Sequence, residues 1–131
     1  MNLLFGLILL IWPMTIIAEW ELISTTDAAQ VFIDRETIDR GETIASVWEL
    51  QNLGHYGSEN QSSYRYLSQY DCENRRWMYS TFTKHSGPMA TGDVIQRSDK
   101  TSVWRVVPPN TPASSVYRVV CGESHFILNN Y

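Results

Sequence analysis

Residues 63–72 read Ser-Tyr-Arg-Tyr-Leu-Ser-Gln-Tyr-Asp-Cys, and after Glu73-Asn74 the chain resumes over 75–84 as Arg-Arg-Trp-Met-Tyr-Ser-Thr-Phe-Thr-Lys. The first run alternates with the period of two that a half-buried strand requires. Tyr64, Tyr66, Ser68, Tyr70 and Cys72 fall on one face, and Ser63, Arg65, Gln69 and Asp71 on the other, interrupted only by Leu67. The second run is again rich in aromatic and β-branched residues, and a tight Glu73-Asn74 turn joins the two as a hairpin. The Cys72 face is expected to be the inner one.

Short β-type runs extend the pattern on both sides. Trp20–Thr25 and Gln30–Asp34 predict two neighbouring strands separated by a polar link, and Glu36–Gly41 reads as a turn closed by its glycine. Glu42–Leu53 predicts a long strand with Ile44, Trp48 and Leu50 on one face and Ala45 and Val47 on the other. Trp48, Tyr64, Tyr66 and Tyr70 are assigned to the core on this reading. The segments 54–62 and 85–92 carry glycines and small polar residues suited to surface loops, Val94–Gln96 fits a short edge strand, and Thr101–Val107 fits a last strand stopped by Pro108-Pro109.

One helix is expected. Thr111 can cap its first turn, Pro112 fits the first helical position, and Gly122 can end it. Val116, Val119 and Val120 then lie on one apolar stripe with Cys121 at its edge. The fold class predicted is α+β: an antiparallel sheet of about six strands with a C-terminal helix packed on one face.

Residues 1–18, Met-Asn-Leu-Leu-Phe-Gly-Leu-Ile-Leu-Leu-Ile-Trp-Pro-Met-Thr-Ile-Ile-Ala, contain no charged side chain. As a helix, Leu3–Ala18 would span about 24 Å, short of the roughly 30 Å hydrocarbon core. The segment therefore reads as a signal peptide cut after Ala18, leaving residues 19–131 as the exported domain; an uncleaved N-terminal anchor is the alternative. Export exposes Cys72 and Cys121 to an oxidising compartment, where a disulfide is expected, with two separate buried thiols as the other outcome. On the chain-entropy model such a bridge stabilises the fold by roughly 4 kcal/mol.

Composition narrows the function. The formal charge is −4, and among ten Lys and Arg only Arg75 and Arg76 are adjacent, so no basic stripe for nucleic acid exists. Five Trp, seven Tyr and four Phe are too many for a disordered tail. His55, His85 and His125 lack metal-ligand spacing, and no Gly-x-Ser-x-Gly elbow occurs. Asp34, Glu36, Asp39 and Glu42 cluster in sequence, but in a turn they are expected to be solvated rather than to work as an acid–base pair. No catalytic residue, cofactor or metal is assigned, and the chain is expected not to be an enzyme. Protein binding is the expected activity, with Tyr56, His85 and Met89 in the two loops and Arg75 and Arg76 at the hairpin turn as candidate contact residues.

Trp20, Val31-Phe32-Ile33-Asp34 followed by Thr37-Ile38 and Gly41, Val47-Trp48, Tyr70-Asp71-Cys72 before Arg75-Arg76, Gly87 through Gly92, Trp104, and a closing helix with Cys121 form an ordered set. In that order and spacing the chain resembles the surface-adhesin protein E family of small exported bacterial proteins. The resemblance implies a six-stranded antiparallel sheet with a C-terminal helix, residence at the cell surface or in the periplasm, and adhesion to host extracellular-matrix or serum proteins. A surface lipoprotein carries a cysteine at its signal cleavage site, whereas the first cysteine here is Cys72. A periplasmic or secreted protein without a lipid anchor is therefore expected. The alternative function is a periplasmic structural or inhibitory protein with no host ligand. Open edge strands leave room for a homodimer.

Overall fold

The computed structural model describes residues 12–14, 17–55 and 60–122. Most of the expected signal peptide, Tyr56, and the tail from residue 123 with His125 lie outside the described residues. Six strands follow one another in an antiparallel meander: β1 (Trp20–Thr25), β2 (Ala29–Arg40), β3 (Ile44–Leu53), β4 (Ser63–Asp71), β5 (Arg76–His85) and β6 (Val94–Ser98), each hydrogen-bonded to the next. A two-residue strand, β7 (Arg105–Val106), pairs with the start of β5, and the helix α1 (Pro112–Cys121) crosses back over one face. The predicted fold class is the observed one.

Register decides which side chains meet the helix. Ala45 stands opposite Tyr70 and Val47 opposite Ser68, so the odd residues of β3 share a face with the even residues of β4. Val31, Ile33, Ala45, Val47 and Tyr70 form that side of the core, closed from above by Val116, Tyr117 and Val120 of α1. Trp48, expected in this core, lies on the opposite face with the Arg65 guanidinium stacked 3.9 Å from its ring. The small side chains Ala45 and Val47 leave the room that the helix needs; an indole there would hold it off.

Three further differences have local causes. Glu36–Arg40 does not turn but continues β2 through an irregularity between Asp34 and Asp39. There the Thr37 hydroxyl donates to Asp34 O at 2.7 Å and accepts from Trp48 N–H at 3.0 Å, bonding both strands where the ladder is interrupted. Of Thr101–Val107 only Arg105–Val106 is strand, because Ser102 meets β5 partly through its side chain, accepting from Tyr79 N–H at 3.0 Å. The helix stripe also includes Tyr117, whose hydroxyl donates to Cys72 O at 2.6 Å.

The helix ends follow their cap chemistry. Thr111 and Ser114 form a reciprocal capping box, Pro112 opens the first turn, and Gly122 leaves the helix at φ 82° and ψ 151°, a conformation open in practice only to glycine. Cys72 and Cys121 are joined as a disulfide with Cα atoms 5.5 Å apart. Beside it, Arg40 donates to Val120 O and Val119 O at 2.8 and 3.1 Å, satisfying carbonyls that the last turn leaves open. The C-terminal end of α1 is thus fixed to the sheet both covalently and by hydrogen bonds.

Candidate functional site

The ten-residue helix covers only part of its face of the sheet. On the remainder, β4 presents Tyr64 and Tyr66, and β5 presents Trp77, Tyr79 and Phe82. A strict period of two would send Tyr79 and Phe82 to opposite faces. The β4–β5 register shifts instead, with Ser68 opposite Tyr79 and Leu67 opposite Thr81, so β5 holds one extra residue. That bulge turns Phe82 onto the same face as Tyr79 and Trp77.

The five rings surround a trough of about 260 Å³, flanked by Gln51 of β3 and Gln96 of β6. Tyr64 and Phe82 meet edge-on with centroids 5.7 Å apart at 70°, and Tyr79 and Phe82 at 5.8 Å and 84°. Tyr66 and Trp77 lie 6.3 and 6.4 Å from Tyr79. At the rim, Lys84 Nζ sits 5.2 Å from the Tyr64 ring centre and the Arg105 guanidinium 6.0 Å from that of Trp77.

Towards the first turn of α1 lies a smaller chamber of about 160 Å³, which shares Gln51, Tyr66 and Trp77 with the trough as lining residues. Its wall includes Glu49, only 2 % exposed. Tyr70 donates its hydroxyl to Glu49 Oε2 at 2.9 Å. Burial pushes the Glu49 pKa up to about 7, opposed by the Ser68 and Tyr70 hydroxyls. The Ser68 hydroxyl is itself buried and makes no hydrogen bond of normal geometry, although it lies near enough to stabilise the carboxylate. Burial, and then the neighbouring Glu49 charge, push the Tyr66 and Tyr70 hydroxyls well above the usual phenol range.

The residues singled out from sequence are spread over two ends of the sheet. Arg75 and Arg76 lie at the β4–β5 turn, where the Asp71 carboxylate accepts from the backbone of Glu73 and Asn74 at 3.1 Å. Burial alone would raise the Asp71 pKa; the Asn74 side chain, these backbone bonds and Arg76 together lower it. Arg75 has φ 51° and its guanidinium lies 5.6 Å from the Tyr117 ring centre. His85 and Met89 lie at the opposite end with the described ends of the 54–62 loop. Met89 N–H donates to Asn52 Oδ1 at 2.8 Å, and His85 Nε2 sits 2.9 Å from Thr83 Oγ1. Burial, then Arg65 and Arg97, lower the His85 pKa. Tyr70 fills space under the helix as expected, whereas Tyr64 and Tyr66 line the open trough. The sequence signal for this site was the break in alternation between Tyr79 and Phe82; nothing in the sequence marked Glu49.

Comparison with known proteins agrees with this architecture. Crystal form II of Haemophilus influenzae protein E is similar at a TM-score of 0.57 and 15 % identity, covering 83 % of this chain and 91 % of that one. Another structure of Haemophilus influenzae protein E gives 0.55 and 14 %, covering 87 % and 92 %. At these identities the likeness is one of fold. No curated protein matched the sequence significantly. The family model described as Surface-adhesin protein E matches residues 20–122, the span from the first residue of β1 to the glycine that ends α1, and the chain belongs to that family.

Proposed function

We propose that the chain is an exported protein-binding domain that receives its partner on the aromatic trough. The observation that carries this reading is the grouping of Tyr64, Tyr66, Trp77, Tyr79 and Phe82 around a cavity beside the helix. Aromatic side chains give large, rigid contact areas at low entropic cost, which is why they dominate the energetics of binding surfaces. Membership of a family named for a surface adhesin supports the same reading. Host extracellular-matrix or serum proteins are the first partners to test. The loop end with His85 and Met89 and the turn end with Arg75 and Arg76, at opposite ends of the sheet, are proposed as separate outlying contacts, and Tyr56 is proposed as a further contact residue.

The test is capture of matrix and serum proteins by the purified chain, compared with Tyr79→Ala and Phe82→Ala. Each substitution is expected to weaken binding by about tenfold or more, as truncating a central aromatic contact does. Unchanged binding in both variants would move the site away from the trough. Fractionation of intact cells, with the mass of the mature N-terminus, tests export, cleavage after Ala18 and the absence of lipid together. A protein found only in the periplasm and binding no host component would favour the structural or inhibitory alternative.

A further inference from the structure

The chamber beside the trough holds an unusual group for a small binding domain. Glu49 is 2 % exposed and belongs to no salt bridge among the described residues. Its Oε2 has the Tyr70 hydroxyl, and no hydrogen bond to Oε1 is formed among the described residues. Buried carboxyls normally sit against a cation or a full set of donors. No cation lines the chamber around Glu49: β2 brings Val31, β3 the Gln51 amide, β4 the Tyr66, Ser68 and Tyr70 hydroxyls, β5 Trp77, and α1 Pro112 and Ala113, and of these donors only Tyr70 makes a hydrogen bond of normal geometry to the carboxyl.

The adjoining trough has matching chemistry. Ring faces carry negative potential, and rings set at 70° and 84° to one another turn faces and edges around a space rather than forming a flat stacking platform. The protein's own cations already lie near two of these rings, Lys84 by Tyr64 and Arg105 by Trp77. The adjoining chamber shares Gln51, Tyr66 and Trp77 with the trough, and its wall includes the one buried carboxyl among the described residues. We propose that trough and chamber together bind an organic cation, an alkylammonium or guanidinium head group that lies against Tyr66 and Trp77 and pairs with Glu49. This rests on the reading of the trough as the binding surface and names what enters it: a basic side chain of the protein partner or a free quaternary ammonium compound.

The experiment titrates the full chain with N-acetyl-arginine amide, with tetramethylammonium, and with uncharged N-acetyl-citrulline amide, following the Trp77 indole resonance by NMR. A saturable shift with a cationic probe, at least about tenfold weaker with the citrulline analogue, is expected from the loss of a charge-assisted pair. The tighter of the two cations identifies the source, protein side chain or free quaternary ammonium. Glu49→Gln keeps the shape and an acceptor for Tyr70; it is expected to weaken cation binding by about tenfold and to remove the rise in affinity from about pH 6 to 8 that ionisation of the carboxyl produces. Equal binding of the citrulline analogue, undiminished binding by Glu49→Gln, or no Trp77 shift with either cation overturns the proposal. If the cations fail while Tyr79→Ala still weakens partner capture, the trough stands as a protein site and only its cation chemistry falls.

Discussion

A carboxyl shut away from water favours its protonated form, and the folded chain therefore holds a proton that the unfolded chain has already released. For Glu49 the ordinary pKa of 4.5 rises to about 7 on folding. Between those values the native state binds more protons than the unfolded state, so this group makes stability fall as pH rises from about 4.5 to 7, and the loss is complete above 7. The size of that loss is roughly 3 kcal/mol for a shift of this order. Urea unfolding across that range is expected to show a decline that Glu49→Gln removes, the difference between the two proteins isolating this carboxyl from every other titrating group. Parallel pH profiles for the two would show that the carboxyl gains no proton on folding. Nothing in the sequence pointed to Glu49, because a polar residue in a strand reads as solvent-facing until the element packed above it is known. Tyr64 and Tyr66 were placed on the right face by alternation, but alternation cannot say where on that face the helix ends.

Local chemistry and partner-dependent chemistry differ sharply at the level of single elements. The helix was legible from Thr111 and Pro112 to Gly122 because capping depends on residues within a turn of each other. The course of β2 was not, because its irregularity is bridged from Thr37 to Trp48 on the neighbouring strand. Replacing Thr37 by Val keeps the volume but removes the bond to Asp34 O and leaves Trp48 N–H without its acceptor. A loss of about 1–3 kcal/mol is expected in equilibrium denaturation. No loss would mean that the two strands hold their register without the hydroxyl. The bulge in β5 was hidden for the same reason: register belongs to a pair of strands, and only the awkward spacing of Tyr79 and Phe82 hinted at it.

At the scale of the whole molecule the meander was readable, since each strand pairs with its sequence neighbour and the turns between them carry ordinary turn residues. The pairing of Cys72 with Cys121 was readable as an expectation of compartment, and the fold brings the two residues together. That bridge also determines how the molecule would carry a mechanical load. The residues it encloses include all of β5, β6 and β7 and most of α1, so tension between the two ends of the chain passes from Cys121 straight to Cys72 and then through β4 to β1. The enclosed 49-residue separation amounts to about 170 Å of extended chain that force cannot draw out while the bond is intact. Pulling the full chain by its ends is expected to give a final contour length longer by about that amount once reductant is added. An unchanged length would mean that the bond is absent from the protein under load. With the bond in place, the β5 wall of the trough, Trp77, Tyr79 and Phe82, lies outside the path of the force, and a partner held against it is pulled on by a segment that is not itself being stretched.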